Sequence, residues 1–474
     1  MSAVSVASGG SLASGPLSAL KATAPFCRVS AVLRPVAGSE IQVEVWLPEA
    51  WNGKLLAVGG GGFSGGLDSV AITLRSGLAE GYAGLATDAG HKTADGASWA
   101  AGQPEKVVDW GHRANHVGAA FAKSLIEAHY GRPASRAYFN ACSNGGRDAL
   151  MEANRFPEDY DGIIAGAPAF DWTGMTSAFL WYHQTIFQTP GAATLPTKIK
   201  AVSEAIRAKC DALDGVTDGI LENPRACRFD PAELACKGGD DKSCLTTAEA
   251  DALRKIYDGP RLQTGKRIYS GLALGDEDIP ANANGWLDPS QQGTGAFGTE
   301  FFRWMVYQDP NWKPESFQLD RDYPLAVQKT GSIVDVGPDL RAFAARGGKL
   351  ILWHGWSDAR VPADHTIDYY EDVRRKIGAT SAKKSVRLFM APGMAHCFAG
   401  PGPNKFDMVR ELDRWVEQGK PPERVIATKF DNDILALIGQ PAKTLRTRPL
   451  CPWPKTAHYK GKGSTDDAAS FVCR

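Results

Sequence analysis

Three residues able to carry out hydrolysis stand in a telling order along the chain. Ser143 lies in Asn-Ala-Cys-Ser-Asn-Gly-Gly-Arg (residues 140–147), between the apolar runs Ala137-Tyr138-Phe139 and Ala149-Leu150-Met151. This is the pattern of a strand turning sharply into a helix with a serine at the turn. The usual form is Gly-x-Ser-x-Gly, and here Ala141 holds the first glycine place. Asp358 follows the apolar run Lys349–Trp353, and His396 follows Val386–Met390. Nucleophile, acid, histidine is the order of an α/β-hydrolase, whose acid and histidine come after late strands. In that arrangement Asp358 fixes the tautomer of His396, which takes the Ser143 proton. His354 is a rival base, but it shares the Asp358 loop and suits a structural role. A turn serine, a capping aspartate and a loop histidine are each ordinary; their joint order argues for catalysis.

Other residues add to or compete with this reading. Gly59–Gly62 follows the apolar run Leu55–Val58. In this kind of fold that loop gives the oxyanion one backbone N–H, and Asn144, the residue after the serine, gives the other. Phosphate binding is excluded because no Gly-Lys-Ser/Thr follows the glycines. Cys142, directly beside Ser143, leaves a thiol nucleophile open. His112 and His116 have the spacing of metal ligands on one helix face, but no glutamate completes a His-Glu-x-x-His motif. Asp211, Asp214 and Asp218, with Gly215 and Gly219, form a tight loop suited to a hard cation. It is not an EF-hand, since Leu213 and Gly215 occupy the third and fifth places. A plain Asx-turn loop would look similar.

These residues need elements to position them. Ile41–Leu47 alternates as a half-buried strand, Tyr82–Ala86 reads as a buried one, and Asp109–Tyr130 has helical spacing closed by Gly131. A strand over Ala137–Ala141 feeds the Ser143 turn and a helix ending before Pro157, and Ile163–Ala165 is a further strand. After a long interruption come strand Lys349–Trp353, helix Asp364–Ile377, strand Val386–Met390 and helix Phe406–Glu417. Alternating strands and helices predict an α/β fold: a mainly parallel sheet with helices on both faces. Residues 171–340 break the rhythm with turn residues, four cysteines and the aromatic patches Phe179–Tyr182 and Phe301–Trp304. We read 1–170 and 341–474 as two parts of one core, and 171–340 as an inserted lid domain.

Composition narrows the function classes. A chain of 474 residues has room for more than one core. Lys+Arg and Asp+Glu both total 53, so no global field favours nucleic acid or an anionic membrane. No apolar run reaches membrane-spanning length. The Ser/Ala/Gly-rich opening has neither the basic nor the apolar region of a signal peptide. Nine cysteines include three sequence-local pairs: Cys210 with Cys227, Cys236 with Cys244, and Cys451 with Cys473. If these are disulfides, the protein matures in an oxidising compartment and is secreted or periplasmic. Cys27, Cys142 and Cys397 are left over.

Cys142-Ser143-x-Gly145-Gly146-Arg147, the Asp358 loop and His396-Cys397 resemble the tannase/feruloyl esterase family, over nearly the whole chain from Cys27 onward. The resemblance implies an α/β-hydrolase with a lid and a serine esterase that forms an acyl-enzyme. It implies small esters of aromatic acids as substrates, feruloyl (hydroxycinnamoyl) or galloyl, with mono(2-hydroxyethyl) terephthalate hydrolase-like activity as the alternative. A catalytically dead, calcium-stabilised binding protein is the reading from another class. The resemblance pairs Cys142 with Cys397, which would make the cysteine beside the serine a clamp, and it supports the three local pairs. It assigns Ca2+ in the lid to the side chains of Asp211, Asp214 and Asp218 and the carbonyls of Val216 and Ile220. It places the oxyanion donors at Asn144 and Gly62, the latter within a glycine run that blurs the register. In one departure, Cys27 lacks the second cysteine that relatives often carry near the glycine loop.

Overall fold

The computed structural model describes residues 1–12, 20–63, 65–67, 70–92, 96–239, 241–280, 288, 290 and 293–474. A nine-stranded sheet organises it: β1 (Ser2–Val6), β2 (Phe26–Leu33), β3 (Ile41–Pro48), β4 (Lys54–Val58), β5 (Ala83–Thr87), β6 (Arg136–Cys142), β7 (Gly162–Gly166), β8 (Lys349–Gly355) and β9 (Val386–Ala391). The spatial order is β1-β2-β3-β5-β4-β6-β7-β8-β9. From β5 to β9 all pairings are parallel, while β1, β2 and β3 add an antiparallel edge.

Strand periodicity explains the two covered faces. Successive side chains of a strand point to opposite sides. Ala137 and Phe139 of β6, with Ile163, Leu350 and Leu388, pack with residues of the helices Ala114–Tyr130, Asn144–Arg155 and Ala363–Ile377. Their alternates Tyr138, Ile164, Ile351 and Phe389 pack with residues of the helix Met408–Gln418, while Val58 meets the helix Ala71–Ala79. The expected helix over 109–130 forms, but its first turn, Asp109–Arg113, is a π-turn. The Ser/Ala/Gly-rich start, which carries no strand signal, supplies the edge strand β1 by pairing with β2.

Between β7 and β8 the described residues add no strand to this sheet. The chain forms the helices Trp172–Phe187, Ile199–Cys210, Thr247–Asp258 and Thr294–Phe301, with short helical turns between them. They share a large apolar cluster that also takes in Phe63, Trp99, Trp110, Ala359 and Val361 from the flanking chain. Among the described residues no helix is long and apolar enough to cross a membrane.

Candidate active site

The sharp turn expected at Ser143 exists, and its tightness explains the residues around it. β6 ends at Cys142, Ser143 has φ +68°, and the helix starts at Asn144. A non-glycine residue in this region of backbone space is strained and typically found at functional positions. The turn needs small neighbours. A Cβ on Gly145 would lie 2.7 Å from Ala141 Cβ and 2.9 Å from the Gly60 carbonyl, and one on Gly146 would lie 2.4 Å from the Gly166 carbonyl. Alanine therefore serves at 141 only because 145 is glycine.

The sheet brings the three candidate residues together at one edge. His396 Nε2 is 2.7 Å from Ser143 Oγ, and His396 Nδ1 is 2.6 Å from Asp358 Oδ2. The Asp358 carboxylate is buried and also accepts the backbone N–H groups of Arg360 and Val361, each at 2.9 Å. Burial pushes its pKa up, but the His396 and His354 imidazoles and their hydrogen bonds outweigh that. They hold it well below the usual carboxylate range. An ionised Asp358 selects the Nδ1–H tautomer of His396, leaving Nε2 to accept from the serine hydroxyl.

His354, the rival base, is committed elsewhere. Its Nε2 donates to the Val361 carbonyl at 2.7 Å and lies 3.2 Å from Asp358 Oδ2, while its Nδ1 accepts from the Thr366 hydroxyl at 2.8 Å. It therefore braces the acid loop. Cys142 is no thiol: it is bonded to Cys397, with the two Cα atoms 6.0 Å apart. The three local pairs, Cys210–Cys227, Cys236–Cys244 and Cys451–Cys473, are disulfides as well. Cys27 is a free, half-buried cysteine on β2.

Asn144 opens its helix, so its N–H belongs to the first turn, whose amides have no intrahelical partner. A second feature holds it there. Arg147, fully buried, donates from Nε to Asn144 Oδ1 at 2.7 Å and from its Nη atoms to the carbonyls of Gly111 (2.7 Å) and Trp110 (3.0 Å). Asp148 is its counter-ion at 2.8 Å. Sequence reasoning noted Arg147 only as part of a motif; its partners lie on the π-turn, which no local pattern predicts. Gly62 lines the same cleft with φ +56°, and a Cβ there would lie 3.3 Å from the Phe297 ring.

Ser143 and His396 open onto a cleft of about 1450 Å3. Its apolar wall comes from Trp172, Met175, Phe179 and Phe297, and a polar wall includes Arg75, Lys405 and Asp433. Phe297 stacks on Phe63 with centroids 4.3 Å apart and lies 5.5 Å from Trp172. The two aromatic patches seen in sequence divide differently. Phe179 lines the cleft, but Tyr182, Phe301 and Phe302 are core. Trp172 and Phe297, which do line the cleft, stand outside both patches.

The aspartate loop forms a short helical turn, Asp211–Asp214, followed by Gly215 at φ +90°. Asp214 Oδ1 accepts from Val216 N at 2.9 Å, Asp211 Oδ2 from Gly219 N at 2.9 Å, and Asp218 Oδ1 from Ile220 N at 3.2 Å. Asp218 Oδ2 also accepts from Arg446, at 2.8 Å, and from Arg448. Three carboxylates with loop carbonyls are the hard oxygen donors calcium takes, so the donor chemistry fits the ion. The side-chain oxygens are not gathered, however. Among the described residues, the His/Cys/Asp/Glu group of three whose ligand atoms all lie within 4.8 Å is elsewhere, at His116, Glu152 and Asp159.

The chain is similar to known esterases along nearly its whole length. The family model described as "Tannase and feruloyl esterase" matches residues 27–474. An uncharacterized esterase of Xanthomonas campestris pv. campestris is 37% identical over 96% of this chain and 85% of its own. Mono(2-hydroxyethyl) terephthalate hydrolase of Piscinibacter sakaiensis is 32% identical over 97% of this chain and 86% of its own. The crystal structure of feruloyl esterase B from Aspergillus oryzae superposes with a TM-score of 0.88 at 27% identity, covering 100% of this chain and 96% of that one.

Proposed function

The chain belongs to the tannase and feruloyl esterase family and is a carboxylic ester hydrolase with an α/β-hydrolase fold; from that premise we propose that it cleaves esters of aromatic acids, feruloyl or galloyl, through an acyl-enzyme on Ser143. The observation that carries this is the hydrogen-bonded chain Ser143–His396–Asp358, at 2.7 and 2.6 Å, opening beside the aromatic wall of the cleft. A flat acyl group stacks on Phe297, which the buried Trp172 backs, and presents its carbonyl to Ser143.

In the first step Ser143 Oγ attacks the ester carbonyl carbon and its proton passes to His396 Nε2. Asp358 stabilises the imidazolium without taking the proton. The negative charge on the carbonyl oxygen is met by the N–H groups of Asn144 and Gly62. Collapse of this intermediate breaks the bond to the alcohol, which leaves with the proton from His396. Water, deprotonated by the same nitrogen, then attacks the acyl-enzyme and releases the acid. Arg147 acts on the Asn144 side chain, and so keeps the first helical turn in place for the oxyanion.

Residues 171–340, which supply Trp172, Met175, Phe179 and Phe297, act as the lid over this site. Asp211, Asp214 and Asp218, with the Val216 and Ile220 carbonyls, would hold a structural calcium ion, which would neutralise this loop of the lid. The four disulfides support maturation in an oxidising compartment, secreted or periplasmic.

The 32% identical terephthalate monoester hydrolase makes such a monoester the alternative substrate. A panel of methyl ferulate, methyl gallate and mono(2-hydroxyethyl) terephthalate, assayed with Ser143→Ala as control, tests the reading. We expect kcat/KM highest on one of the first two, and Ser143→Ala slower by several orders of magnitude while still folded. Turnover confined to the terephthalate monoester would replace the substrate assignment, and an active Ser143→Ala would end the mechanism.

A further inference from the structure

The helix that leaves Ser143 carries a second polar cluster near its other end, apart from the residues that line the cleft. Glu152 sits there, 1% exposed. His116 faces it from the helix Ala114–Tyr130, and Asp159 from the turn before β7. One imidazole nitrogen and one oxygen from each carboxyl group all lie within 4.8 Å of one another. Tetrahedral ligands with bonds of about 2.0–2.2 Å stand about 3.3–3.6 Å apart, so small side-chain rotations would bring these atoms onto one ion.

The geometry is held from several sides. The His116 ring lies flat on Phe156, with centroids 3.9 Å apart, and its Nδ1 is 2.6 Å from Asp159 Oδ2. Asp159 Oδ1 is 3.9 Å from the Lys123 ammonium. Glu152 Oε2 is buried without a hydrogen-bond partner. An orphaned carboxylate oxygen in the interior is destabilising unless a proton or a cation meets it. Burial and the adjacent Asp159 together push the Glu152 carboxyl well above its ordinary range. A shared proton or a metal ion relieves the repulsion between two carboxyl groups placed this close.

We propose that His116, Glu152 and Asp159 form a binding site for a divalent transition-metal ion, zinc first, with water completing the coordination on the open His116 side. An imidazole ligand favours zinc over calcium or magnesium, and three protein ligands plus water is a common zinc arrangement. Metal ligands bind in their deprotonated forms, so affinity should rise with pH. The ion ties the helix behind Ser143 to its neighbouring helix and to the turn into β7. Of the His112/His116 pair seen in sequence, only His116 takes part; its partners come from other elements.

The test uses the full chain, stripped with chelator and then kept in excess Ca2+ so that the 211–220 loop does not compete. Zn2+ or Co2+ alone is added by equilibrium dialysis. We expect one ion per chain and, for Co2+, a visible absorption band. Glu152→Gln, which keeps the volume and removes the charge, and Asp159→Asn should each weaken binding by about 10-fold or more. His116→Ala, at a partly exposed position, should do the same with the fold verified by circular dichroism. The proposal is overturned if wild type binds no more Zn2+ than the Glu152→Gln/Asp159→Asn double variant. It is equally overturned if His116→Ala leaves the affinity unchanged.

Discussion

Replacing both Cys142 and Cys397 with alanine should damage catalysis before it damages the fold. The bond spans 255 residues of sequence, for which the chain-entropy relation gives an upper figure of about 5.5 kcal/mol of stabilisation. The local consequence is sharper. Each cysteine adjoins a member of the hydrogen-bonded triad, and the loop after His396 holds Cys397 at φ +65° and Ala399 at φ +64°. Left-handed backbone costs a non-glycine residue about 1–2 kcal/mol. Freed of the bond, the loop gains on the order of 2 kcal/mol by relaxing, at the expense of the 2.7 Å contact between His396 and Ser143. Two kcal/mol corresponds to about 30-fold in rate. The assay is kcat on methyl ferulate across temperature, run beside near-UV circular dichroism. We expect kcat to fall about 10- to 100-fold where the spectrum is still native, with KM little changed. A double variant with wild-type kcat and wild-type melting temperature would refute the reasoning.

Asp358→Asn should lower kcat about 10,000-fold without unfolding the protein, because an amide can favour the wrong tautomer of His396; a loss under 10-fold in steady-state assays would count against the role given to Asp358. Chelator should lower the wild-type melting temperature, with little further effect on Asp214→Ala, since binding to the native state alone stabilises it; elemental analysis of protein purified without chelator should find calcium, and its absence would reduce the loop to an Asx-turn. Burial pushes the Glu277 carboxyl up to about 7 from an ordinary value of 4.5. Between those values the unfolded chain has lost the proton that the fold retains, so stability present below pH 4.5 drains away as pH rises through 7, by about 3 kcal/mol in all. Glu277→Gln should make denaturant midpoints fall less steeply from pH 5 to 8; an unchanged slope would mean that Glu277 makes no such contribution.

Much of this molecule is written in local patterns. Ser143 between two apolar runs, Asp358 after one late strand and His396 after another were legible because strand and helix periods, and the turns between them, depend on neighbours a few residues away. A parallel α/β sheet then delivers every such turn to the same edge, so chain order alone placed the triad. The adjacent Cys-Ser and His-Cys pairs marked a known family and, with it, the clamp. What sequence could not decide is which side chains from distant segments meet. Phe297 lines the cleft while Phe301 and Phe302 are core, although all three are phenylalanines. Arg147 reaches Asn144 and the Asp109–Arg113 π-turn, and His116 finds Glu152 and Asp159 in place of His112. Helix rotation and the packing of one element on another set these contacts. They are settled by how the whole chain buries its surface, which no window of residues contains.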